Sequence, residues 1–226
     1  MRAKILLITL TVFIQQIATA SSFNYSDEFA DILNRVQLEQ QSTYKVSITP
    51  VNDRCFVFLN KDNVEGPLGQ AIKKEITQNP ETYPFILHGG TLNNYCPKYS
   101  KLTAMQKTQI WVLIMTVMAH FESSCDLKSS ARGPNGALYG YFQLHKGNEN
   151  SYAGGHAACS RNASTDPKLS TRCALAMLEV QMRKSGGDLF SKNSYWDVLR
   201  PKGQSKKAHD ISRAINRFSL CNPTQM

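Results

Sequence analysis

A lone carboxylate closes the most apolar stretch of this chain. From Ile110 to Phe121 the sequence is almost unbroken hydrophobic residues, His120 is its one ionisable group, and Glu122 follows directly, ahead of Ser123-Ser124-Cys125. Burial disfavours an ionised carboxyl and raises its pKa, and the negative end of a helix dipole pushes the same way. An acid that stays protonated near neutral pH can give its proton to a leaving sugar oxygen, the step on which glycosidic cleavage depends. The plain alternative is a polar helix end facing water, the common fate of a solitary glutamate.

What weighs against that alternative is the company Glu122 keeps. A Gly/Pro/Asn-rich loop follows it, and then Gly140-Tyr141-Phe142-Gln143-Leu144. Gln143 offers donors and an acceptor to a polar ligand, and Gly140 permits close backbone approach. Tyr139 and Tyr141 supply flat faces on which sugar rings can rest. If strand alternation holds, these two tyrosines share a face that opens on a cleft, and Phe142 turns to the core.

Glu122-Ser123-Ser124, the loop and Gly140-Tyr141-Phe142-Gln143-Leu144 together resemble the soluble lytic transglycosylase and goose-type lysozyme group, over about residues 96–185. The resemblance implies a lysozyme-like fold that cuts peptidoglycan glycan strands, with Glu122 as acid and then base. Ser123 would line the site, and Gln143 would bind sugar or orient the loop around Gly140. The group's late Ala-Tyr-Asn element is degenerate here, at best Ala214-Ile215-Asn216, so a tyrosine beside Glu122 would come from Tyr139 or Tyr195. Disulfide-stapled relatives, one of them preferring deacetylated peptidoglycan, look similar around Glu122-Ser123-Ser124-Cys125.

Glycosidases with two carboxylates place both around the scissile bond, yet no acidic residue occurs between Asp126 and Glu149. Asp126, a turn beyond Glu122, is expected to leave the helix with the chain. The expectation is therefore a solitary catalyst. Glu122 would protonate the leaving oxygen and then take the proton of the muramoyl C6 hydroxyl, closing an anhydro ring; hydrolysis by water is the alternative. A catalytically silent wall-binding or inhibitor protein on the same fold is the rival from another class.

The elements that must hold these groups follow from punctuation and period. Thr103 can cap a buried helix that runs to Glu122. Gly133-Pro134-Asn135-Gly136 marks a turn in a short hairpin. Helical patterning resumes after Pro167 and stops at Gly186-Gly187, and a last helix is expected from about Ala208 to Leu220. Before residue 103 the signals are weaker: an amphipathic helix over Asp27 to Gln40, and a strand at Cys55-Phe56-Val57-Phe58-Leu59. The whole reads as a mainly α (α+β) protein. Residues 21–102 form an N-terminal accessory region and residues 103–226 the catalytic domain.

The first 20 residues have the order of a secretory signal peptide: Arg2 and Lys4, an uncharged run from Ile5 to Ile14, then Ala18-Thr19-Ala20. The run is shorter than the roughly 20 residues a membrane helix needs, so the expected product is a periplasmic or secreted monomer with no integral membrane segment. Loss of Arg2 and Lys4 lowers the formal charge from +9 to +7, a cation suited to an anionic envelope polymer. Nucleic acid is not expected as a partner, because the loose cluster Lys202, Lys206 and Lys207 has no interleaved aromatics. Cys55, Cys96, Cys125, Cys159, Cys173 and Cys221 form an even set in an exported chain and read as disulfides of open connectivity. Zinc is the weaker reading, since no Cys-x-x-Cys pair occurs, and neither metal nor cofactor is expected.

Overall fold

The computed structural model describes residues 51–160 and 162–222. The expected signal peptide and the helix over Asp27 to Gln40 lie outside them. The described residues are mainly helical, with six α-helices and one small three-stranded antiparallel sheet. The helices are α1 (Pro67–Gln78), α2 (Pro84–His88), α3 (Ala104–Ser123), α4 (Glu149–Tyr152), α5 (Pro167–Lys184) and α6 (Ala208–Arg217).

Helix α3 is the axis. Thr103 accepts from the Gln106 amide, and the Gln106 side chain accepts from the Thr103 amide, so both ends of a capping box are closed. Every residue from Ile110 to Ala119 is buried, which fits a helix apolar on all sides and wrapped by neighbours. α1, α2 and α6 pack against it, and α5 packs on α1 and α2. Ser124 and Cys125, both at positive φ, turn the chain away at its end.

Of the segment expected as an accessory region, residues 51–102 are built into this core. Phe58, Ile72, Ile76, Tyr83 and Tyr99 are buried in the same cluster as Trp111 and Leu175. The indole of Trp111 donates to the Ile86 carbonyl at 3.0 Å and lies 2.8 Å from the Tyr99 hydroxyl, which itself donates to Ile86. No compositional break at residue 102 could have revealed this, because the partners are long-range. The strand expected at Cys55–Leu59 is instead a 3-10 helix, Asp53–Val57. Asn52 caps it through the Arg54 amide, and among the described residues the run has no partner strand beyond a single bridge between Leu59 and Glu65.

All six cysteines are paired: Cys55–Cys125, Cys96–Cys221 and Cys159–Cys173. The first fastens residue 55 to the end of α3, and the second joins the approach to α3 to the end of the described chain. Closing loops of 70 and 125 residues removes entropy from the unfolded chain, worth about 2–4 kcal/mol per bridge.

The sheet is β1 (Ser130–Gly133), β2 (Gly136–Tyr139) and β3 (Leu144–His145) in sequence order. Gly133 pairs with Gly136 across a two-residue loop of Pro134 and Asn135, the hairpin that the turn signal implied. β2 stops at Tyr139 because Gly140 takes φ 76° and starts a tight turn closed by the Gln143 amide on the Gly140 carbonyl.

Candidate active site

Glu122 opens into a cavity of about 1050 Å³ bounded by the end of α3, the hairpin tip, β3, one face of α5 and the segment from Ser191 to Gln204. Two short stretches frame it. The first is the turn Gly140–Gln143; the second is Ser194–Arg200, and they are fastened to each other. Tyr195 donates its hydroxyl to the Gln143 carbonyl at 3.0 Å, and the Trp196 indole donates to the Phe142 carbonyl at 2.8 Å. The Gln181 side chain on α5 accepts from the Ser194 hydroxyl and the Tyr195 amide, which holds the second stretch to the helix.

Gln143, at φ 47°, is almost fully buried and lines the cavity. Its amide nitrogen donates to the Gly140 carbonyl at 2.9 Å and the Ser129 carbonyl at 3.2 Å, so it holds the loop around Gly140. Its Oε1 has no partner among the described residues. Gly140 is there for space: a Cβ on it would stand 2.0 Å from the Ser164 carbonyl oxygen.

The other expected contacts are placed differently. Ser123 is buried beside the Tyr141 carbonyl (2.9 Å) and the Ala119 carbonyl (3.0 Å), so its hydroxyl ties α3 to the Gly140 turn and does not line the cavity. Tyr141 is buried, edge-on to Phe58 at 5.2 Å, because the turn at Gly140 ends the alternation that would have aligned it with Tyr139. Tyr139 lies under the Lys146 ammonium at 5.2 Å and is outside the cavity lining. Phe142 is in the core, and of the two tyrosines considered as companions of Glu122 it is Tyr195 that lines the cavity.

Glu122 has a distinctive setting. No described residue hydrogen-bonds its carboxyl. Burial pushes its pKa up to about 7, and the negative charge of Asp197 adds to the effect. Asp197 was missed by sequence reasoning. It lines the same cavity, and its 3-10 turn, Asp197–Leu199, packs against α3. The only local hint was an acid directly after two aromatics, Tyr195-Trp196-Asp197.

Asp197 is treated in the opposite way to Glu122. Burial is the largest single influence and pushes its carboxyl up, but the Ser205 amide and hydroxyl, the Gln204 amide and Arg200 outweigh it and hold it below the usual aspartate value. The Ser205 amide lies 2.6 Å from Oδ2, the Gln204 amide 3.2 Å from Oδ1, and Arg200 Nη1 3.8 Å from Oδ1. Gly203 makes this wrap possible, since a Cβ there would meet Asp197 Oδ1 at 2.8 Å. Asp126, by contrast, pairs with Arg54 at 3.1 Å and does not line the cavity. Near neutrality one cavity therefore holds a carboxyl that is protonated about half of the time and one that is ionised.

Comparison with known proteins finds no matching family pattern and no matching curated protein. Among solved structures, the wild-type form 2 of Bd0314 DslA superposes with a TM-score of 0.56 at 21% identity, over 69% of this chain and 91% of that one. Two glutamate-to-glutamine mutants of the same protein match over the same shares at 22% identity, with TM-scores of 0.56 and 0.54. At these identities the likeness is one of fold, and it establishes this chain as a fold relative of DslA.

Proposed function

We propose that this protein is an exported enzyme that cleaves the glycan strands of peptidoglycan, with Glu122 as the acid that protonates the departing sugar oxygen. The observation that carries the reading is Glu122 itself: a carboxyl without a hydrogen-bond partner among the described residues, pushed up to about 7 and opening into a large cavity. A group of that pKa is protonated often enough at neutral pH to act as an acid, and deprotonated readily enough to act next as a base. The order of Glu122, Gly140 and Gln143 along the chain, which resembles the lytic transglycosylase and goose-type lysozyme group, supplies the substrate class.

Other features agree. Tyr152 and Tyr195 line the cavity, and aromatic faces suit the flat sides of sugars. Lys184, Arg200 and Lys202 stand around the same cavity, where they would attract the carboxylates of muramic acid and of peptide stems. Three disulfides fit an oxidising compartment, and among the described residues no helix is long and apolar enough to cross a membrane.

Digestion of purified peptidoglycan by wild type and by Glu122→Gln tests the reading. Wild type is expected to release soluble muropeptides, and Glu122→Gln to release them at least about a thousandfold more slowly. Equal release by both would remove Glu122 from the chemistry.

A further inference from the structure

The chemistry after bond cleavage depends on which group receives the next proton. A lone Glu122 would have to serve twice, taking a proton from a hydroxyl of the sugar itself. The cavity, however, contains a second carboxylate with its own support. Asp197 is carried on a 3-10 turn packed against α3, the helix whose last turn carries Glu122. The loop through Gly203 folds back over it so that two backbone amides and Arg200 meet its oxygens. The stretch that carries it is fastened to the Gly140 turn through Tyr195 and Trp196. A merely structural aspartate, one capping a loop, would need none of this placement in a cavity shared with an unpartnered acid.

We propose that Asp197 is the second catalytic carboxylate: it faces the sugar carbon on which positive charge develops and takes the proton of the attacking water, so that the enzyme is a hydrolase. The proposal rests on the reading of Glu122 as the acid of a glycosidase. In the step, the Glu122 O–H proton passes to the glycosidic oxygen and the bond from that oxygen to the anomeric carbon breaks. The oxygen of a water molecule bonds to the anomeric carbon, and the proton it sheds goes to Asp197. Solvent then takes the proton from Asp197 and returns one to Glu122, and the only co-reactant is water. Two carboxyls whose surroundings drive their pKa values apart have the division of labour that such a reaction needs. The other charged or titratable groups of the cavity are Lys184 from α5, His145 from β3, Tyr152 from α4, and Tyr195, Arg200 and Lys202 from the stretch that carries Asp197.

The test compares wild type, Glu122→Gln, Asp197→Asn and Asp197→Ala on purified peptidoglycan, with products read by mass spectrometry. Wild type should give reducing muropeptides and no species one water lighter. Asp197→Asn should lose about a hundredfold or more in kcat, with KM changed by no more than about threefold. Sodium azide should restore turnover of Asp197→Ala and leave a glycosyl azide, because the anion enters the space of the missing carboxylate and attacks the same carbon. That rescue reports on any folded fraction, so a poorly folding variant still answers. Anhydro products from wild type, wild-type kcat in Asp197→Asn, a loss confined to KM, or a loss that azide leaves untouched would each overturn the assignment of Asp197. An active wild type with a silent Glu122→Gln and a fully active Asp197→Asn would overturn that assignment alone. An inactive wild type, or an active Glu122→Gln, would remove the reading of Glu122 and this inference with it.

Discussion

Glu179 and Glu122 are both withdrawn from water, and they are treated differently. Glu179, on α5, is almost fully buried and accepts from the amides of Phe85 (3.2 Å) and Ile86 (2.9 Å), first-turn donors of α2 that have no carbonyl partner within the helix. Burial pushes its pKa up, and those two amides and Arg183 pull against it. Glu122 is also pushed up by burial, but no backbone donor compensates and a second carboxylate, Asp197, adds to the shift. A carboxylate that satisfies helix-end amides is structural. One kept without a partner beside a cavity is withheld from structure, and so is free for a substrate. Burial alone does not separate the two roles; what each carboxyl touches does.

The comparison breaks most sharply in activity. Glu122→Gln is expected to abolish at least about three orders of magnitude of peptidoglycan turnover while leaving the fold intact. Glu179→Gln should do the reverse, because one end of its new amide presents donors to the donors of α2. Chemical denaturation should show a loss of about 1–3 kcal/mol, with turnover per folded molecule unchanged. Activity loss in the Glu179 variant without a stability loss would erase the distinction.

A second pair of variants probes the frame around Glu122. Gly140→Ala forces a Cβ toward the Ser164 carbonyl at a φ of 76°; a cost of about 2–3 kcal/mol is expected in denaturant unfolding. Tyr195→Phe removes only the hydroxyl that reaches the Gln143 carbonyl, and about 1 kcal/mol should be lost.

The smallest effect is a pH-dependent one. The folded-state pKa of Glu122 lies above its unfolded value, so the folded protein binds its proton more tightly. The stability this contributes is complete below about 4.5 and is lost as pH rises through about 7. Glu122→Gln should therefore match wild type near pH 4 and exceed it by on the order of 1 kcal/mol at pH 8, after allowance for partial solvent access. Thermal scans at the two pH values read this as a shift of a few degrees at pH 8 alone. In turnover the same titration appears as activity that declines as pH rises through about 7.

Much of the fold was legible locally. The run Ile110 to Phe121 with Thr103 before it could only be a buried, capped helix, and Gly133-Pro134-Asn135-Gly136 could hardly be other than a turn. The even cysteine set indicated disulfides but not partners, since pairing is decided by tertiary proximity. The site was legible only in part. Glu122 and Gln143 stand out through their own neighbours, but Ser123, Tyr139 and Tyr141 could not be placed, because Gly140 breaks the strand period on which their directions were judged. Asp197 was invisible for a different reason: its relation to Glu122 exists only once the Ser194–Arg200 stretch is fastened to the Gly140 turn by Tyr195 and Trp196. Residues 51–102 show the same limit, since their membership of the core depends on contacts across the whole chain.

The proposed chemistry turns on the protonation of one carboxyl, and that can be observed without substrate. Carbon-detected NMR titration of the glutamate side-chain carboxyls, with Glu122→Gln used to assign the resonance, should place the midpoint of Glu122 at about 7. A midpoint near the ordinary glutamate value of about 4.3 would contradict the account, for Glu122 would then be ionised at neutral pH and unable to serve as its acid.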